Sequence, residues 1–184
     1  MKTKFILHGG FTFGEEQGND EFTKEILKDA PEKAEILLVY FAKEKDRIPK
    51  NKEEDINQFN KNKGDKGLSF KVATEESFED QIKEADIIYL HGGLSPKILE
   101  IMKRFPNLQK LFEGKIIAGD SAGANVLTKV FYSFLSDKVF EGLGLLPIKL
   151  IPHYEDKFKN KLDDMYPELE TVRLSEYKFV VYEQ

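Results

Sequence analysis

Short apolar runs rich in β-branched residues alternate along the chain with longer stretches whose apolar positions recur every three or four residues. The runs cover residues 4–8, 36–42, 68–73, 87–90, 116–118 and 149–152 and predict strands. Between them the spacing predicts helices over 19–29, 52–61, 77–85, 96–105, 122–131 and 156–165, several opening on Ser, Asn or Asp. Near-continuous apolar strands between amphipathic helices imply a mostly parallel, doubly wound sheet covered on both faces, a three-layer αβα architecture. Two last runs, 171–174 and 178–182, read as an edge hairpin or closing strands. The most polar stretch, 43–66, mixes Lys, Glu, Asp and Asn with alternating sign and reads as a solvated helix between loops.

Bulk properties narrow the classes. At 184 residues the chain fits one α/β domain, 1–184, with room for a sizeable core. The net charge of -5, with both signs mixed, lacks the basic footprint of a nucleic-acid binder. No apolar run approaches a membrane span, and the start MKTKFILHGG runs into a strand rather than a signal peptide, so a cytoplasmic location is expected. A homodimer is compatible with this composition. The absence of cysteine excludes disulfides, thiolate metal sites and a cysteine nucleophile.

The candidate chemistry lies in IIAGDSAGANVL, residues 116–127. Gly119-Asp120-Ser121-Ala122-Gly123 matches Gly-x-Ser-x-Gly with a predicted strand before it and a helix after it, the context in which a serine is thrust out on a strained turn. The small neighbours permit the sharp bend, and the helix starting at Ala122 aims a free N–H at an anion forming beside the hydroxyl. A second strand-loop-helix corner follows 87–90 as His91-Gly92-Gly93-Leu94-Ser95-Pro96, with Ser95 and Pro96 as helix cap and first turn. Both corners fall at the carboxyl edge of the sheet, where ligands bind in such folds.

A serine needs a base. The histidines are His8, His91 and His153. All end strands; His153 follows the strand after the nucleophile's helix, whereas His8 and His91 each precede a glycine pair suited to the cleft floor. Among carboxylates that could orient the base, Asp137 ranks first, with Glu141, Glu155 and Asp156 as rivals. The histidines show no metal-ligand spacing, and no cofactor is called for.

In order and spacing, His-Gly-Gly-Leu-Ser-Pro, Ala-Gly-Asp-Ser-Ala-Gly-Ala-Asn-Val-Leu and Gly-Leu-Gly-Leu-Leu-Pro-(x)4-Pro-His-Tyr resemble the peptidase E family. These are serine peptidases, alpha-aspartyl dipeptidases related to cyanophycinase, with a class I glutamine amidotransferase-like (flavodoxin-like) fold. The resemblance implies Ser121 as nucleophile, His153 as base and Asp137 as third member. It also implies the amides of Gly93 and Ala122 as oxyanion donors and Gly92 and Asn125 at the substrate, a small peptide. Here Asp120 precedes the serine where those dipeptidases carry an uncharged residue. Lys157, Lys159 and Lys161 stand where an arginine would receive the substrate carboxylate, and lysine lacks the bidentate fork. Two other classes are an α/β-hydrolase-type esterase, suggested by the elbow and by His8-Gly9-Gly10 as an imitation of that class's oxyanion loop, and a non-catalytic ligand-binding member of the amidotransferase-like fold. Glutamine amidotransfer needs a cysteine.

Overall fold

The structure is a computed structural model and describes residues 2–12 and 17–184. Six strands form the main sheet: β1 (Lys4–His8), β2 (Lys33–Val39), β3 (Gly67–Val72), β4 (Ile87–Leu90), β5 (Ile116–Asp120) and β10 (Phe179–Glu183), in the order β10-β1-β5-β4-β2-β3. All neighbours run parallel except β10, which closes one edge antiparallel to β1. Successive side chains point to opposite faces of a strand. Accordingly Phe5, Leu7, Leu37, Val39, Ile88, Leu90 and Ile117 join one core, and Ile6, Ile36, Leu38, Ile87, Tyr89, Ile116 and Ala118 the other. Burial on both faces is why these strands read as unbroken apolar runs.

Helices α1 (Gln17–Lys28) and α2 (Ile48–Asn62) cover one face, burying Phe22, Ile26, Leu27 and Phe59 against it. On the other lie α3 (Phe78–Glu84), α4 (Ser95–Met102), α5 (Leu108–Leu111) and α6 (Ala122–Leu127). The α/β class and the three layers therefore match expectation. Among the described residues no helix is long and apolar enough to cross a membrane.

Three local expectations are corrected. The helix expected over 122–131 ends at Leu127, and β6 (Thr128–Ser133) follows at once. The Thr128 hydroxyl donates to the Asn125 carbonyl at 2.9 Å, ending the helix, and Thr-Lys-Val-Phe-Tyr is a β-prone run. The helix expected over 156–165 is a short 3-10 turn, Asp156–Phe158, followed by further i to i+3 turns such as Lys161 to Phe158 and Met165 to Leu162. The buried ammonium of Lys149 takes the carbonyls of Leu162 (3.2 Å) and Met165 (2.9 Å). Finally, β6 pairs with β7 (Lys138–Glu141) and β8 (Leu146–Pro152), and β9 (Thr171–Leu174) pairs with β8, giving a second, four-stranded sheet ordered β7-β6-β8-β9. The two last runs are thus no hairpin: β9 joins this second sheet and β10 the main one.

Candidate active site

Register places the chemistry at one sheet edge. His8 lies opposite Asp120, and Leu90 opposite Gly119, so the chain leaves β1, β4 and β5 side by side at their carboxyl ends. Ser121, the first residue past β5, has φ 45° and ψ -104°, a conformation costly for a residue with a side chain. The Ser121 amide donates to the His8 carbonyl at 3.0 Å, and the Asn125 amide donates to the Ser121 carbonyl at 2.9 Å, so strand and helix hold the bend from both ends.

His153 arrives from the second sheet. The His153 amide, just past β8, donates to the Gly9 carbonyl at 2.8 Å. Its Nε2 then stands 2.9 Å from Ser121 Oγ, and its Nδ1 stands 3.0 Å from Glu176 Oε1. An ionised carboxylate only accepts, so the proton sits on Nδ1 and Nε2 is left to take the serine proton. Gly10, at φ +116°, is required here: a Cβ would run into the imidazole. Phe11, Ser121 and His153, which line the cleft, all have positive φ, as does Tyr177 beside Glu176. Strain of this kind concentrates where surrounding structure enforces a reactive geometry.

Glu176 is the residue the sequence reasoning missed. It sits on the turn between β9 and β10, and that turn is stitched to the first loop: the Gly9 amide donates to the Lys178 carbonyl (2.8 Å) and the Tyr177 amide to the Gly10 carbonyl (3.2 Å). Asp137 is engaged elsewhere, its Oδ1 accepting from Tyr132 Oη and Lys161 Nζ, both at 2.8 Å. Glu141 accepts from Tyr166 Oη at 2.6 Å, Asp156 from Tyr154 Oη at 3.1 Å, and Glu155 pairs with Lys157 at 2.9 Å. Glu176 lies beyond the carboxylates nearest Ser121 and His153 in sequence, 55 residues after the serine and 23 after the histidine. The single carboxylate of the turn between the last two strands was the available signal. His8-Gly9-Gly10 is accordingly the strip on which the imidazole and the Glu176 turn dock.

Gly92 and Gly93 line the cleft, Gly93 at φ +149° with its Cβ position blocked by the Ala42 carbonyl. Among the described residues the amides of Gly93 and Ala122 donate to no protein acceptor, which leaves both for a ligand. Asn125 does not face the cleft; it is buried, and its Nδ2 donates to Ser95 Oγ at 3.1 Å, tying α6 to α4. Ser95 is thereby a first-turn residue of α4 instead of its cap.

Asp120 is buried behind the serine. Its carboxylate takes the Gly92 amide, Tyr89 Oη at 3.0 Å and Thr12 Oγ1 at 3.3 Å, and lies 3.8 Å from His91 Nδ1. His91 Nδ1 also lies 3.0 Å from Asp55 Oδ2, which accepts from Tyr40 Oη at 2.7 Å. Asp55 belongs to the polar stretch expected to be solvated; α2 is indeed there, with Asp55 turned inward. Burial alone would lower the His91 pKa, yet Asp120 and Asp55 overcome it and hold the ring's pKa above the ordinary value. Burial likewise opposes ionisation of Asp120, and His91, the Gly92 amide and His8 win, keeping its pKa low. The charge beside Ser121 is thus met from within the protein.

His8 behaves oppositely. Burial pushes its pKa down to about 4, against the pull of Asp120, and its Nδ1 accepts the Gly10 amide at 3.1 Å. The folded state binds the proton less well than the unfolded one, so this contribution to stability is whole above pH ~6.5 and is lost as pH falls toward 4. The loss amounts to about 3 kcal/mol. Asn presents an acceptor where Nδ1 stood, so His8→Asn is expected to lose about 2 kcal/mol less than the parent between pH 7 and pH 4.5, read as urea unfolding free energies.

Among the described residues no group of three His, Cys, Asp or Glu is placed to hold a metal ion. The cleft that contains Ser121 and His153 has a volume of about 210 Å³, is lined also by Phe11, Thr12, Lys43, Phe134 and Leu135, and is smaller than a typical drug-sized site.

Comparison with known proteins places the fold and the family. A crystal structure of a peptidase from an acI-B1 Actinobacterium superposes with a TM-score of 0.72 at 23% identity, covering 99% of this chain and 84% of that one. The crystal structure of a putative Peptidase E protein from Listeria monocytogenes EGD-e gives 0.67 at 16% identity, covering 100% and 98%. Both likenesses concern the fold. No curated protein matches the chain. The model of Peptidase family S51 matches residues 5–178, a span that includes Ser121, His153 and Glu176. The chain belongs to peptidase family S51.

Proposed function

We propose that the protein hydrolyses small peptides, dipeptides foremost, through an acyl-enzyme formed on Ser121. The observation that carries this reading is the unbroken contact from Ser121 Oγ to His153 Nε2 (2.9 Å) and from His153 Nδ1 to Glu176 (3.0 Å) on a strained elbow. Ser121 attacks the peptide carbonyl while His153 takes its proton, Glu176 holds the imidazole tautomer, and the Gly93 and Ala122 amides stabilise the oxyanion. The carbon–nitrogen bond breaks as Nε2 returns the proton to the departing amine. Water, deprotonated by the same nitrogen, then releases the acid.

The small volume of the cleft supports short substrates. Lys43 is the cation lining it; its field helps hold Asp120 ionised, and among the described residues its ammonium makes no hydrogen bond or salt bridge, so it is the group that would receive an acidic side chain on the acyl residue. Of the lysines considered for that task, Lys157 pairs with Glu155 and Lys161 with Asp137, and neither they nor Lys159 line the cleft.

The test is labelling with a fluorophosphonate and mapping of the adduct by mass. The label is expected on Ser121, absent in Ser121→Ala and at least about a hundredfold slower in His153→Ala. A label elsewhere, or one indifferent to His153, rejects the mechanism.

A further inference from the structure

Five large apolar side chains stand exposed among the described residues, and three of them, Phe11, Phe134 and Leu135, line the cleft that contains Ser121 and His153. Scattered exposed apolar residues need no explanation, whereas a cluster at a binding cleft does. Leu135 is 60% exposed, with nothing of its own core to fill.

The hairpin between β6 and β7 presents two of the three. The Ser136 amide donates to the Ser133 carbonyl and the Asp137 amide to the Phe134 carbonyl, both at 3.3 Å, and Asp137 takes the left-handed conformation at φ 45°. Tyr132 and Lys161 grip the Asp137 carboxylate. Asp137 therefore fixes the turn that holds Phe134 and Leu135 at the cleft. The Phe134 ring lies 4.6 Å from the imidazole of His153, centroid to centroid, and the Phe11 ring meets it edge-on at 5.7 Å.

The mechanism gives these walls a meaning. The nitrogen that leaves must lie within hydrogen-bond reach of His153 Nε2, because that atom hands it the proton taken from Ser121 as the carbon–nitrogen bond breaks. The residue carrying that nitrogen is then the part of the substrate set among the groups around the imidazole. Resting on the peptidase reading above, we infer that Phe134, Leu135 and Phe11 form a subsite for a bulky apolar residue on the leaving side, so that the favoured substrates end in Leu, Phe or Met instead of Gly or Ser.

The test is a dipeptide panel with the acyl residue held constant and the leaving residue varied among Gly, Ser, Leu and Phe. The ratio of kcat/KM for Leu over Gly is expected at about 10- to 100-fold in the parent, the range a hydrophobic pocket achieves. In Leu135→Ser and in Phe134→Ser the ratio is expected to fall to within about threefold of unity. Because the ratio is internal to each variant, any general loss of activity cancels. Leu135 packs into no core, so its replacement leaves folding to the rest of the chain. A flat panel in the parent, no cleavage of any member by a protein whose Ser121 still takes the fluorophosphonate, or a ratio unchanged in both variants overturns the subsite. Failure of Ser121 to take the label overturns instead the peptidase reading beneath it.

Discussion

Ser121→Ala and His153→Ala are each expected to lower kcat on a cleaved dipeptide by about 10⁶-fold, and the double variant is expected to be no worse than either alone. The reason is geometric. The hydroxyl is a weak nucleophile until Nε2, 2.9 Å away, takes its proton, and the imidazole has no other proton to move in the first step. With either gone, the other serves no purpose. What survives is what the Gly93 and Ala122 amides contribute by binding the oxyanion, about 10³-fold over water. Steady-state rates of the two single variants and the double variant check this, and a double variant as slow as the product of the two single losses would show that they do not act as a unit.

Glu176→Gln is expected to lower kcat by about 10³-fold, while Asp137→Asn changes it by less than about tenfold. Removing the charge of a fully buried triad aspartate costs about 10⁴-fold, because the imidazole loses both its tautomer and the partner of its positive form. Glu176 is less sheltered: its side chain is 40% exposed, so water already screens part of its field and compensates part of the loss. Asp137 contacts Tyr132 and Lys161 at the hairpin, so its neutral isostere loosens the turn without touching the imidazole. Paired kcat measurements at pH 8 decide the assignment. An Asp137→Asn loss as deep as that of Glu176→Gln would move the third member back to position 137.

Much of this site is legible in the sequence. Gly-x-Ser-x-Gly between an apolar strand and a helix placed Ser121 on the elbow, since small residues and the strand-to-helix change are local properties. His153 was legible through the Pro-His-Tyr resemblance and its place after the nucleophile's helix, and not through the main sheet's edge, since its strand belongs to the second sheet. Asp120 was visible, but its meaning was not: only the structure shows that Asp55, from a stretch that reads as solvent-facing, and His91 enclose its charge. The polar pattern of 43–66 averages over the helix and hides one inward carboxylate.

Local pattern by itself determined the class of fold, the main strands, the elbow serine and the two glycine corners, because burial on both faces and backbone sharpness leave marks within a few residues. Tertiary structure alone decided which carboxylate meets the base, that the chain after the serine turns into a second sheet, and that the apolar hairpin leans over the imidazole. Each of those depends on contacts between segments far apart in sequence, as with Glu176 and His153, 23 residues apart, or Ser121 and His153, 32 apart. No periodicity records such meetings, since a carboxylate in a turn looks the same whether water or an imidazole stands in front of it.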